Sequence, residues 1–219
     1  MTWLILGLNV TVFAYGLYLQ ATAGAGALDA FYLTWSFDPA HFAASPGSPA
    51  VWITVLTAMF LHAGWLHVGG NMLYLWIFGN NVEDRMGPWW FLGFYLTCGV
   101  VATIAQAIAS GFADVPTLGA SGAIAGVLGA YLLLFPRARV LTAVFIVVFF
   151  EVALIPAWIV IIVWFVLQLG SGIATVGPAA ASGGGVAYFA HVGGFLTGML
   201  LVLPLWLADR KRAAFVAWR

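Results

Sequence analysis

The hydrophobic pattern divides the chain into long apolar segments separated by shorter polar ones. A helix needs roughly 17–25 mostly apolar residues to cross a bilayer. Six candidate spans follow from the pattern: 3–19, 65–81, 89–109, 121–135, 154–169 and 187–207. We therefore predict an all-α, polytopic membrane protein, a six-transmembrane-helix bundle in which residues 1–219 form one domain.

The apolar stretch 140–169 is longer than one span requires, and it contains Glu151 and Pro156. We interpret 140–151 as an interfacial or re-entrant piece and 154–169 as the fifth span. Pro156 then falls in the first helical turn, where a missing N–H is tolerated.

Two connecting segments stand out by composition. Residues 21–50 are rich in aromatic side chains, so we expect this segment to lie in the outer interface or to pack on the bundle. Residues 170–186 are rich in glycine, which is typical either of a mobile flap or of an ordinary linker.

Composition narrows the class of protein further. The chain is 64% hydrophobic and only 6% charged, whereas soluble domains carry about 25% charged residues. This excludes a cytosolic enzyme, a disordered protein and a nucleic-acid binder. Cys98 is the one cysteine, which excludes a disulfide framework and a cysteine-based metal site. The sequence predicts neither a cofactor nor a metal.

The basic residues fall on alternate connections only. The connections 20–64, 110–120 and 170–186 contain none. By the positive-inside rule, both termini are then cytoplasmic and those three connections face outward. The seven basic residues are Arg85, Arg137, Arg139, Arg210, Lys211, Arg212 and Arg219.

Polar residues inside apolar spans are costly and therefore candidates for function. The spans hold three isolated amides, which we interpret as packing hydrogen bonds: Asn9, Gln106 and Gln168. Four other side chains share a shallow depth below the outer surface: His67, Asn71, Ser121 and His191. The spacing of His67 and Asn71 places both on one helix face.

Small-residue faces predict how the fourth and sixth spans meet. Gly122 and Gly126 are spaced like Gly194 and Gly198, and such faces allow helices to approach closely. Their pairing would hold Ser121 near His191, as nucleophile and base. Alternatively, the glycines only pack and Ser121 is a helix N-cap.

The other polar groups suit an acyl-transfer site. His67, Asn71 and the Ser121 backbone N–H can donate hydrogen bonds to an oxyanion. No carboxylate lies mid-span, so the pair would be a dyad. A small-solute transporter or channel is the alternative, although neither interrupted midplane helices nor repeat symmetry is visible.

Four ordered motifs, at 62–71, 82–87, 119–126 and 190–198, resemble those of the rhomboid intramembrane serine proteases. The resemblance covers roughly residues 50–207. It implies Ser121 as nucleophile, His191 as base, and His67 with Asn71 as oxyanion stabilisers. It also implies a membrane-embedded first loop and a cap at 170–186, and a structural rather than catalytic role for His62.

One position departs from the family pattern. Some members carry an aromatic residue one turn after the serine that stacks on the histidine, whereas this chain has Ala125. The packing partner of His191 is therefore not evident from the sequence.

The expected activity is that of an intramembrane serine endopeptidase that acts on transmembrane segments of other membrane proteins. By the resemblance, substrates have small side chains at the cut. A rhomboid-fold binding protein that does not cut is the alternative. The composition suggests a prokaryotic plasma membrane, and the oligomeric state stays open.

Overall fold

The computed structural model describes residues 1–146, 149–174 and 186–217, and these are mostly helical. The elements are α1 Thr2–Ala23, α2 Ala25–Trp35, α3 Pro39–Ala44, α4 Pro49–Thr57, a 3₁₀ turn Ala58–Phe60, α5 Trp65–Tyr74, a π-helical turn Leu75–Gly79, α6 Asn80–Met86, α7 Pro88–Ala109, α8 Ser121–Leu134, β1 Arg139–Ile146, β2 Phe149–Pro156, α9 Ala157–Ala174 and α10 Tyr188–Ala217.

Within the described residues, four helical segments are long and apolar enough to cross a membrane: Thr2–Ala23, Pro88–Ala109, Ala157–Ala174 and Tyr188–Asp209. A fifth arises if Pro49–Phe60 is joined to Trp65–Met86 across an 84° bend. The shorter apolar helix α8 completes a set consistent with six predicted spans. The chain is a helical, multi-pass membrane protein, as its hydrophobic pattern predicts.

Helix α8 lies at the centre of the bundle, and every residue from Gly122 to Tyr131 is buried. Its 14 residues give a length of about 21 Å at 1.5 Å per residue, which is shorter than the roughly 30 Å hydrocarbon core of a bilayer. Helix α8 is therefore too short to cross the hydrocarbon core, so at least one of its ends lies below the surface when the bundle spans a membrane.

The predicted start of the fifth span is wrong. Strands β1 and β2 form an antiparallel hairpin, in which Arg139 pairs with Pro156 and Leu141 with Leu154. Helix α9 begins only at Ala157, so Pro156 ends a strand instead of lying in a helical turn. Residues 140–151, interpreted as an interfacial or re-entrant piece, belong mainly to this hairpin. β-Branched and aromatic residues dominate the run, and they favour an extended backbone.

The aromatic segment 21–50 contains the end of α1, all of α2 and α3 and the start of α4, and it packs on the bundle. The Phe37 side chain is fully buried. Phe37 and Thr117 exchange two backbone hydrogen bonds, of 2.8 and 3.0 Å, which tie this segment to the connection preceding α8. Of the glycine-rich segment 170–186, the first residues belong to α9, while 175–185 lie outside the described residues.

Candidate active site

The structure brings Ser121 and His191 into hydrogen-bonding contact. Ser121 is the first residue of α8, and His191 lies in the first turn of α10. The distance from Ser121 Oγ to His191 Nε2 is 2.7 Å. The N-cap of α8 is Ala120, and no side chain caps this end. The alternative reading of Ser121 as an N-cap is therefore wrong.

The predicted pairing of the two glycine faces is confirmed, and it accounts for this contact. A Cβ atom on Gly194 would lie 1.9 Å from the carbonyl oxygen of Gly122. One on Gly198 would lie 2.0 Å from the carbonyl oxygen of Gly126. Only glycine fits at such distances, so the backbones of α8 and α10 touch and their first turns lie side by side.

His67 lies beside the backbone that leads into Ser121. Gly119 has φ +129°, a conformation that L side chains rarely adopt, and a Cβ atom there would lie 2.8 Å from His67 Nε2. The Gly119 N–H donates to the carbonyl of Ala58 at 2.8 Å. Glycine thus lets the chain turn close to the His67 ring just before the serine.

Asn71, on α5, is held by His62. The Asn71 Nδ2 atom lies 3.0 Å from His62 Nε2. An amide NH₂ is only a donor, so His62 Nε2 accepts and one Asn71 N–H remains for another partner. Both side chains are buried, with His62 1% exposed. This contact fits the structural role that the resemblance implies for His62.

A tyrosine of α2 anchors the same segment. The Tyr32 hydroxyl donates to the backbone carbonyl of His62 at 2.8 Å. Burial raises the pKa of the Tyr32 phenol above its ordinary value, so the hydroxyl stays protonated and remains a donor. The segment 21–50 therefore contributes indirectly to the position of Asn71.

Helix α9 contacts His191 through two side chains that the sequence reasoning missed. Gln168 Oε1 lies 2.6 Å from His191 Nδ1. The centroid of the Trp164 ring system lies 5.6 Å from that of the imidazole, with 39° between the planes. Gln168 was interpreted as a packing amide. Its spacing of four residues from Trp164, which places both on one helix face, was the available signal.

Gln106, near the end of α7, was also interpreted as a packing amide, but it caps α10. Its Oε1 atom accepts from the backbone N–H groups of Phe189 and Ala190, at 3.1 and 3.2 Å. Both N–H groups lie in the first turn of α10, where the usual intrahelical acceptors are missing. The Ala190 N–H also donates to the Ala187 carbonyl at 3.1 Å, so Gln106 is the acceptor on which the Phe189 N–H depends. Asn9, by contrast, donates within its own helix to the carbonyl of Ile5.

A cavity of about 30 Å³ lies beside Ser121 and has room for a water molecule. Its polar lining includes Gln106, Thr103 and Thr117. In the described part of the chain, no three His, Cys, Asp or Glu side chains group closely enough to hold a metal ion. The polar side chains that the structure groups around Ser121 are hydroxyl, imidazole and amide groups.

Comparison with known proteins identifies the family of this chain. The sequence model of the rhomboid domain matches residues 49–208. The chain belongs to the rhomboid family. This assignment confirms the resemblance found in the sequence motifs.

Three relatives within the family illustrate the extent of the similarity. The chain is 29% identical over 206 residues to Rhomboid protein 1, mitochondrial, of Saccharomyces cerevisiae, which covers 91% of this chain and 51% of that protein. It is 43% identical over 81 residues to the rhomboid protease GluP of Bacillus subtilis (37% of this chain, 15% of that protein). It is 32% identical over 102 residues to the human presenilin-associated rhomboid-like protein, mitochondrial (45% and 27%). The chain thus spans about half the length of the yeast relative, and its matches cover less of the other two.

Proposed function

We propose that this rhomboid is an intramembrane serine endopeptidase that cleaves transmembrane segments of membrane proteins through a Ser121–His191 dyad. The 2.7 Å hydrogen bond between Ser121 Oγ and His191 Nε2 carries the proposal. A serine hydroxyl becomes a useful nucleophile when a base within this distance accepts its proton.

The proposed reaction proceeds through an acyl-enzyme. Ser121 Oγ attacks the scissile carbonyl carbon while its proton passes to His191 Nε2. When the tetrahedral intermediate collapses, the C–N bond breaks and His191 returns the proton to the leaving amine. Water then attacks the ester with His191 again as base, which releases the new carboxyl end and restores Ser121.

His67, Asn71 and the backbone N–H of Ser121 are proposed to stabilise the oxyanion. The Ser121 N–H lies in the first turn of α8 and lacks an intrahelical acceptor. Asn71 keeps one N–H beyond the one it gives to His62. A single preorganised donor of this kind contributes roughly 10²–10³ to kcat.

The proposed setting is a membrane in which the dyad opens to the outer face and both termini are cytoplasmic. The distribution of the basic residues supports this orientation. We propose a prokaryotic plasma membrane from composition alone, and the mitochondrial names of the yeast and human relatives argue against that choice. The partners are substrates with transmembrane segments, together with the surrounding lipid.

Cleavage by the purified protein tests the proposal directly. The protein is reconstituted into liposomes with a single-span substrate, and the products are compared with those of Ser121→Ala and His191→Ala. We expect cleavage and labelling by a serine-directed fluorophosphonate in the wild type, and loss of both in each variant. Persistent cleavage by Ser121→Ala would refute the dyad. Substrate binding without cleavage would favour the binding-protein alternative.

A further inference from the structure

Helix α9 presents a neutral hydrogen-bond acceptor to the far side of the proposed base. The Gln168 side chain is half-buried, and its Oε1 atom lies 2.6 Å from His191 Nδ1. His191 is 7% exposed. Gln168 and Ser121 therefore contact the two ring nitrogens of one largely buried imidazole.

This contact determines which ring nitrogen carries the proton. In a neutral imidazole one nitrogen is a donor and the other an acceptor. With Gln168 Oε1 facing Nδ1, the proton resides on Nδ1. The lone pair then resides on Nε2, where it accepts the hydrogen bond from Ser121 Oγ. The opposite tautomer would put an N–H against the serine and leave the dyad without a base.

The indole of Trp164 gives His191 the aromatic neighbour that Ala125 cannot provide. Ala125 is completely buried in α8, and its methyl group has no ring to stack. Trp164 lies one turn before Gln168 on the same face of α9, with its ring system 5.6 Å from the imidazole. The ring plane and the proton position of His191 are thus both set from one helix.

We propose that Gln168 and Trp164 are positioning residues for His191. Gln168 completes a hydrogen-bonded chain Ser121–His191–Gln168, and the Trp164 ring packs against the imidazole. This inference rests on the proposed function and deepens it. An amide suits the role because it accepts the Nδ1 hydrogen bond without bringing a charge into the membrane, where a buried carboxylate is costly.

Steady-state kinetics of Gln168→Leu test the role of the amide, with Gln20→Leu as the matched control because Gln20 is exposed on α1. We expect Gln168→Leu to lower kcat roughly 10- to 100-fold, part of the ~10²–10⁴ that a general base contributes. KM should stay within about twofold, because Gln168 is not proposed to touch the substrate. Gln168→Glu keeps an oxygen acceptor for Nδ1–H and should therefore lose less of kcat than Gln168→Leu.

The indole is tested in the same way. Trp164→Ala should lower kcat, while Trp164→Phe should retain more of it because a ring remains against the imidazole. Trp158→Ala is the matched control, because Trp158 lies on the same helix and is 47% exposed. Equal losses from Trp164→Ala and Trp158→Ala would overturn the role of Trp164.

A spectroscopic readout separates this inference from the proposed function. In ¹⁵N-histidine-labelled protein, assigned with His191→Ala, we expect a neutral His191 protonated on Nδ1, and a change of that signal in Gln168→Leu but not in Gln20→Leu. If the wild type neither cleaves nor reacts with a fluorophosphonate, the proposed function fails while this signal still tests the contact. If the wild type cleaves and Gln168→Leu retains both kcat and the signal, the inference is overturned.

Discussion

The polar side chains of the site form hydrogen-bonded pairs in which no group carries a formal charge. Ser121 is paired with His191, His191 with Gln168, and Asn71 with His62. A buried polar group costs free energy unless it is hydrogen-bonded, and a buried charge costs far more. Uncharged pairs are therefore the least costly way to hold a reactive group at membrane depth.

Removing the Asn71 amide should separate catalysis from binding. We expect Asn71→Ala to lower kcat about 10²-fold, within the range for loss of one oxyanion donor, with little change in KM. The measurement is initial cleavage rate against substrate concentration in liposomes.

The same variant should also lower the free energy of unfolding by about 1–3 kcal/mol, because it leaves the buried His62 ring without its donor. Asn80→Ala is the control, since Asn80 donates only to the Trp76 carbonyl within the same helical segment. Wild-type kcat in Asn71→Ala would contradict the oxyanion assignment.

The elements that position the dyad are α8, α10 and the helix ends that surround their first turns. Direct backbone contact along the glycine faces sets the distance between the two helices. Gln106 from α7 secures the first turn of α10, one residue before His191. The position of the histidine thus depends on α7 and α8, in addition to the α9 side chains that contact its ring.

A methyl group on the α8–α10 contact should force the helices apart. We expect Gly198→Ala to lower the free energy of unfolding by about 1–3 kcal/mol, as overpacking does elsewhere, and to slow fluorophosphonate labelling. Thermal unfolding in detergent and the labelling rate provide the two readouts.

Gly93→Ala is the matched control, because a Cβ atom on this α7 glycine would meet nothing within 4 Å. Equal behaviour of the two alanine variants would show that the close approach of α8 and α10 is not needed.

The capping role of Gln106 should depend on its side-chain oxygen and not on its amide nitrogen. Gln106→Leu removes the acceptor of the Phe189 N–H, whereas the Ala190 N–H keeps the Ala187 carbonyl. We expect it to lower the free energy of unfolding by about 0.5–2 kcal/mol, with faster backbone hydrogen exchange at Phe189. Gln106→Glu should restore protection, since a carboxylate at a helix N-terminus is favourable. Unchanged exchange in Gln106→Leu would argue against the cap.

At the scale of the whole molecule, the bundle has two distinct ends. Arg85 forms an ion pair with Asp209, which joins α6 to the far part of α10. The dyad and the Gln106 cap lie at the beginning of α10. An α-helix separates the two groups, so the ion pair and the dyad occupy opposite ends. This arrangement supports the orientation proposed from the basic residues.

Single-cysteine labelling should establish the orientation. We expect Asp114→Cys to react with a membrane-impermeant maleimide on intact cells, and Arg137→Cys to react only after the membrane is opened. Both native side chains are exposed. The unmodified protein is the background, because Cys98 is buried and should not react. The reverse pattern would invert the proposed topology.

Much of the fold follows from hydrophobic runs, but the hairpin does not. The run 140–156 is apolar enough to read as part of a span, and periodicity does not separate a short buried strand from a helix. Pairing of Leu141 with Leu154 decides the matter, and a pattern of residue types along the chain does not show which residues pair across a hairpin.

The sequence by itself determined the membrane class, most of the long apolar helices, the glycine faces and the candidates Ser121, His191, His67 and Asn71, because each follows from local composition or spacing. The partners of His191 were decided only by the tertiary structure. Gln168 and Trp164 are an ordinary amide and an ordinary tryptophan until α9 packs beside α10 and brings them to the imidazole. Hydrophobicity and periodicity act along the chain, whereas the orientation of a catalytic ring depends on contacts between helices.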